Sequence, residues 1–113
     1  MPRILVVDDE PLISMLVEDW LTELGCEVVG PVRSAEDGLE LANDRLDGAI
    51  LDVNVAHGTC YSLANALQAR GVPLAFATGD GSLDEGQRFK DALILRKPFD
   101  FEDVKSVLAK MLS

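Results

Sequence analysis

The sequence predicts a doubly wound α/β fold, a parallel sheet with helices on both faces, and three observations carry that prediction. Short apolar runs alternate with helix-period segments, giving a βα unit repeated five times. The run Gly48-Ala49-Ile50-Leu51 is apolar at every position, as suits a central strand covered on both sides. Carboxylates, a hydroxyl and a lysine recur at the carboxyl ends of these runs, at Asp8-Asp9, Asp52, Thr78 and Lys97. In open α/β sheets the functional crevice lies along that edge. Right-handed crossovers between parallel strands then distribute the helices over both faces.

Each element follows from local pattern. Residues 3–8 form an apolar run, Ile4-Leu5-Val6-Val7, flanked by charge. Leu12, Ile13, Leu16, Val17, Trp20, Leu21 and Leu24 then repeat at three- and four-residue spacing, one apolar helical stripe that stops at Gly25. Pro11 fits the first turn of that helix, where a missing N–H costs nothing. Cys26–Pro31 reads as the second strand. Ser34 suits the N-cap of a helix through Leu39, Leu41 and Ala42, with Asp37 in its first turn. Residues 47–52 make the third strand, and a loop with His57, Gly58 and Thr59 leads to a helix around Tyr61–Arg70, ended by Gly71. Val72–Ala77 is the fourth strand. The segment Gly79–Asp91 is polar and Gly-rich, with at most a short helix near Leu83–Phe89. Ala92–Leu95 is the fifth strand, and Phe101, Val104, Val107, Leu108 and Met111 mark the last helix.

Bulk properties narrow the function. The 113 residues suit one domain, taken as 1–113, with no repeat, linker or low-complexity tract. A net charge of −10 argues against unaided binding to nucleic acid or anionic lipid, which needs clustered Lys and Arg. No apolar stretch approaches membrane-spanning length, and Met1-Pro2-Arg3 enters a strand at once, leaving no room for a signal peptide. Cys26 and Cys60 show neither metal-ligand spacing nor a disulfide framework, and read as reduced packing residues. The expected location is the cytoplasm.

Aspartates, a hydroxyl and a lysine at successive strand ends make a divalent-metal and phosphoryl site. Asp8, Asp9, Glu10 and Asp52 would repel one another without a cation, and Mg²⁺ favours hard oxygen ligands. A carboxylate attacking a dianionic phosphoryl group needs that charge neutralised, a task suited to a cation and to the compact ammonium of a lysine. Plainer roles exist beside these. Asp8 and Asp9 are expected to favour the N-terminus of the following helix as well. His57, the only histidine, reads as solvated, and Trp20 as helix packing.

At Val7-Asp8-Asp9-Glu10, Leu51-Asp52-Val53-Asn54, Ala77-Thr78-Gly79 and Lys97-Pro98-Phe99 the chain resembles the receiver domain of two-component response regulators. The resemblance covers nearly the whole chain. Each piece is weak alone; four in order, each at the end of a suitable strand, are specific. The resemblance implies a flavodoxin-like five-stranded parallel sheet in the order 2-1-3-4-5 flanked by five helices. It implies that Asp52 is the phosphoacceptor, taking the phosphoryl group of a histidine kinase or histidine phosphotransfer protein. Asp9 and Asp52 are implied as direct Mg²⁺ ligands, with Asp8 acting mainly through water and the backbone carbonyl of Asn54 completing the protein's share. Thr78 is implied to hydrogen-bond a phosphoryl oxygen, and Lys97 to pair with that group, and with acidic-site oxygens before it arrives. The peptide before Pro98 is commonly cis in this family.

The chain departs from the family pattern at its switch. Many receivers carry an aromatic three residues before the lysine, where this chain has Ile94. A subgroup with a Phe-Ala-Thr-Gly motif, like Phe76-Ala77-Thr78-Gly79, instead places one two residues after the glycine, where this chain has Gly81. The segment 79–91 is therefore the expected bistable element, with Asp80 beside the site. Output is expected through binding of an unidentified downstream protein at the face of the last two helices and fifth strand, by a monomer or weak dimer. A role as phosphate sink or shuttle stays open. No enzymatic turnover is expected beyond slow self-dephosphorylation. Two other functions compete. Haloacid-dehalogenase-type phosphatases need a second acid two residues after the nucleophile, where this chain has Asn54; Asp8 with Glu10 has that spacing but the wrong acid type. A pseudo-receiver acting only as a docking module would be expected to lack Asp52, an acidic partner or Lys97, and all are present.

Overall fold

The computed structural model of the chain describes residues 1–79, 89 and 91–113. Its elements are β1 (Arg3–Val7), α1 (Pro11–Glu23), β2 (Glu27–Val32), α2 (Ala35–Leu41), β3 (Gly48–Asp52), β4 (Asn54–Val55), β5 (Gly58–Thr59), α3 (Tyr61–Ala69), β6 (Leu74–Thr78), β7 (Leu93–Arg96) and α4 (Phe101–Met111). Five strands form one parallel sheet in the order β2-β1-β3-β6-β7. Counted along the five long strands this is the 2-1-3-4-5 order of the flavodoxin-like class. Four helices flank it among the described residues. The helix expected near Leu83–Phe89, and the expected switch segment with Asp80 and Gly81, lie outside those residues except for Gly79, Phe89 and Asp91.

The sheet is covered on both faces because its strands alternate apolar side chains between them. Leu5, Val7, Leu51 and Phe76 point to one side and pack with Leu63, Ala64 and Leu67 of α3. Ile4, Val6, Ile50, Ala75 and Leu95 point to the other and pack with Val17 and Leu21 of α1 and Val104, Leu108 and Met111 of α4. Phe89 reaches the first core, stacking on Tyr61 at 5.8 Å and meeting Phe76 edge-on at 5.3 Å. Ser34 caps α2 as expected, its Oγ accepting from Asp37 N–H. A reciprocal capping box, Asp100 with Asp103, opens α4.

Two local readings need correction. The apolar stripe of α1 is narrower than its spacing suggested: Val17 and Leu21 are buried, while Leu12 and Leu16 are 75% and 45% exposed and Met15, on the same surface, 59%. Only the side of α1 turned toward the sheet and α4 has a partner surface. The polar stretch after Asp52, read as a loop, contains a short antiparallel hairpin, β4 with β5, whose turn places His57 at φ 69°. His57 is exposed, in keeping with the solvated reading.

Truncating the fully buried Phe76 removes the ring that packs against both Tyr61 and Phe89. Phe76→Ala is expected to cost about 3–5 kcal/mol, measured as the change in urea midpoint at unaltered slope.

Candidate functional site

Neighbouring strands of a sheet lie a fixed distance apart, so residues just past adjacent strand ends are brought together by the ladder itself. β1 and β3 are adjacent, and Asp8 follows the one while Asp52 closes the other. Asp8 is buried; its N–H donates to Val32 O at 3.0 Å, and its Oδ1 accepts from Glu10 N–H at 2.9 Å. That bond goes to the N-cap residue's own amide, and no side chain caps α1. Neither aspartate therefore supplies a side-chain cap to α1. Asp52 is buried too, and its carboxylate accepts from Asn54 N–H. Carboxylate oxygens of Asp8, Asp9, Glu10 and Asp52 all lie within 4.8 Å of one another.

The next two strands bring the remaining groups. Thr78 ends β6, buried, one residue beyond Ala77, the register partner of Asp52. Its carbonyl accepts from Lys97 N–H at 2.9 Å, which ties the residue after β7 to the end of β6. The Lys97–Pro98 peptide is cis. Lys97 Nζ reaches across to Asp52 Oδ2 at 3.0 Å and Glu10 Oε1 at 3.1 Å. Asp8, Asp9, Asp52, Thr78 and Lys97 thus converge on one edge, with Asn54 beside them at the start of β4.

The electrostatics follow from this crowding. Burial pushes the Asp8 carboxyl up to about 6, opposed by the Glu10 amide and helped by the nearby Asp52. Burial also raises Asp52, but the hydrogen bond and charge of Lys97 pull against it. For Lys97, burial works to lower the ammonium, and hydrogen bonds to Asp52 and Glu10 outweigh it, so the group is held more firmly charged. Four carboxylates around one ammonium leave negative charge in excess. Hard, clustered oxygens with that excess suit a divalent cation such as Mg²⁺, and Asp8, Asp9, Glu10 and Asp52 are the side chains able to hold it.

Sequence reasoning treated Glu10 as a repelling acid and as a poorly matched acid partner of Asp8; the structure makes it the second partner of Lys97, and its place directly after Asp8-Asp9 was the available signal. Cys60, fully buried at the start of α3, has its thiol pushed up to about 12 by burial and by Asp52, Asp8 and Asp9, which leaves it inert. Trp20 packs edge-on against Phe99 at 6.4 Å, and with Ile13, Leu16, Pro98 and Phe99 it also lines a groove of ≈ 270 Å³ that ends at Glu10 and Lys97.

A family model described as the response regulator receiver domain matches residues 4–109. The chain belongs to that family. Receiver domains are signalling modules of two-component systems. Among relatives of this receiver, the phyllosphere-induced regulator PhyR of Methylorubrum extorquens is 31% identical over 97% of this chain and 43% of its own length. The chain spans about half the length of the curated relatives it matches. The solution structure of SdrG from Sphingomonas melonis Fr1 is 42% identical with a TM-score of 0.84, covering 100% of this chain and 98% of SdrG. The receiver domain of sensor histidine kinase PA1611 from Pseudomonas aeruginosa, solved with a magnesium ion coordinated in its active site cleft, has a TM-score of 0.83 over 98% of this chain and 97% of that one. At 23% identity that likeness speaks for the fold alone. No helix among the described residues is long and apolar enough to cross a membrane.

Asp8 supplies a test of the crowding. Its folded value of about 6 lies above the ordinary 3.8, so the fold binds its proton more tightly than the unfolded chain does. That stabilisation is present below the unfolded value and is lost as pH rises through the folded one. Without divalent cations, Asp8→Asn should therefore gain on the parent protein between about pH 4 and about pH 6 and hold a constant advantage above. Urea unfolding of both proteins across that range measures it.

Proposed function

We propose that this receiver accepts a phosphoryl group on Asp52 from a phosphohistidine of a histidine kinase or histidine phosphotransfer protein, in a Mg²⁺-dependent reaction. The observation that carries the reading is Lys97 Nζ lying between Asp52 and Glu10 within a cluster of four carboxylates. A carboxylate oxygen of Asp52 forms the new O–P bond, the N–P bond of the donor breaks, and the imidazole leaves with that electron pair. Lys97 keeps Asp52 ionised beforehand and, once the carboxylate is esterified, turns its charge to the phosphoryl oxygens. Thr78, closing the neighbouring strand, donates its hydroxyl to one of those oxygens. Asp8, Asp9, Asp52 and the backbone carbonyl of Asn54 would hold Mg²⁺, which supplies neutralising charge to the phosphoryl group when bound. Asp8 acts mainly through water.

The donor protein needs a landing surface beside Asp52. Leu12, Met15 and Leu16 are exposed on the first turns of α1, directly after Glu10, and Leu16 continues into the groove that ends at Lys97. An apolar helix face next to the acceptor fits a histidine-bearing helix of the donor. The likeness to SdrG over nearly the whole of that chain supports a stand-alone receiver, 1–113, that signals by phosphorylation-dependent protein binding or acts as a phosphate sink or shuttle. With a net charge of −10, direct nucleic-acid contact is not part of this reading. It is a phosphoacceptor of the cytoplasm, monomeric or weakly dimeric, with self-dephosphorylation as its only turnover. A phosphatase reading is disfavoured because Asn54 offers no titratable group.

Acetyl phosphate with Mg²⁺ should give a single phosphoryl adduct by intact mass, absent in Asp52→Ala and slowed about a hundredfold in Lys97→Ala. An adduct that persists in Asp52→Ala, or repeated turnover of small phosphate esters, would contradict the assignment. The docking face is separable from the chemistry. Leu12→Glu with Met15→Glu should cut transfer from a phosphorylated donor protein by about tenfold or more, with the acetyl phosphate rate unchanged.

A further inference from the structure

Two neighbouring carbonyl groups at the end of β2 hold both halves of the acidic site. Val32 O accepts from Asp8 N–H at 3.0 Å, and Arg33 O accepts from Ala56 N–H at 3.1 Å. The first bond fixes the loop that carries Asp8 and Asp9. The second fixes the turn of the β4–β5 hairpin, whose first residue, Asn54, donates its N–H to the Asp52 carboxylate. Ala56 also forms a parallel bridge with Ser34, the residue that caps α2.

The backbone at both ends of this link takes unusual conformations. Leu5 pairs with Val29 but Val7 pairs with Val32, so β2 carries one residue more than β1 over the same stretch. Gly30 absorbs it at φ 92°, and a Cβ there would sit 2.9 Å from Val32 N and 3.1 Å from Val6 O. Only glycine fits. The hairpin turn places His57 at φ 69°, a region open to glycine, asparagine and histidine and closed to β-branched residues. The bulge brings Val32 and Arg33 to the site, and the turn presents Ala56 to them.

We infer that the bulged end of β2 and the Ala56–His57 turn act together as a positioning element, setting the spacing of Asp8 and Asp9 from Asp52 and Asn54. None of Gly30, Val32, Arg33, Ala56 or His57 belongs to the carboxylate cluster; they act through the residues they hold. Two loops tied to the consecutive carbonyls of Val32 and Arg33 cannot drift apart independently, and an error of about 1 Å between reacting groups costs on the order of a hundredfold in rate. This inference rests on the phosphoacceptor reading above.

Three variants test it: His57→Val, which opposes the turn; His57→Gly, which permits it; and Ala56→Pro, which deletes the N–H that Arg33 accepts. Each is titrated with Mg²⁺ alone, followed by amide chemical shifts, then assayed for adduct formation with acetyl phosphate at saturating Mg²⁺, with Tm recorded. His57→Val and Ala56→Pro should raise the half-saturating Mg²⁺ concentration and lower the maximal rate, each by about tenfold, while His57→Gly keeps both within about twofold of the parent protein. A lowered Tm with unchanged Mg²⁺ binding and rate in His57→Val would reduce the turn to a structural part and overturn the proposal. So would an equal loss in His57→Gly, which would assign the effect to the imidazole. Should Ala56→Pro fail to fold, the His57 pair decides alone. A parent protein that binds Mg²⁺ and takes no phosphoryl group would sink the phosphoacceptor reading, and this one with it, whereas a reactive parent with indifferent variants would sink only this one.

Discussion

The contact of Lys97 with Asp52 is the constraint on which the rest of the site depends. A carboxylate at the end of a fully buried strand loses hydration, and burial alone would drive it toward the protonated form. The ammonium 3.0 Å away counteracts that, and its second bond to Glu10 holds it on the crevice side. Lys97 is itself held from behind, its amide bonded to the carbonyl of Thr78. A carboxylate, a cation and a hydroxyl-bearing residue are in this way linked through three adjacent strands, β3, β6 and β7.

That arrangement is a property of parallel sheets more than of any loop. Every position of β3 and β6 is buried, so the strands that carry Asp52 and Thr78 have little freedom to move. Ladder spacing places their carboxyl ends at distances useful for coordination. The two apolar layers on either side, one around Phe76 and Leu63 and one around Val104 and Leu21, make the platform stiff. Chemistry on the edge of such a platform needs few added supports, and those present come from the end of β2 and from β6.

Much of this was legible in the sequence because it depends on period and punctuation. The apolar run Ile4–Val7 and the carboxylates that follow it report both a strand and its functional end. Ser34 and Asp37 reported a cap. What was not legible depends on which neighbour is present. Leu12 and Leu16 obey the helical spacing of a core face, but the sheet and α4 together cover only the side of α1 bearing Val17 and Leu21. The hairpin after Asp52 is two residues long on each side, too short for any periodic signal, and its clue, a His-Gly pair, is shared with ordinary turns. The bulge at Gly30-Pro31 was taken simply as the end of a strand, since an extra residue shows only against a partner's register. The bond of Glu10 to Lys97 was not legible either, since it joins residues far apart in the chain.

Trp20 is the chain's single indole. It rests against Phe99, two residues past Lys97, at the wall of the groove that opens onto Glu10. An optical reporter is thereby built into the molecule at the seam between the reactive edge and the exposed surface of α1. Its emission samples the polarity of that seam without any label, so occupancy on either side can be followed in the unaltered protein.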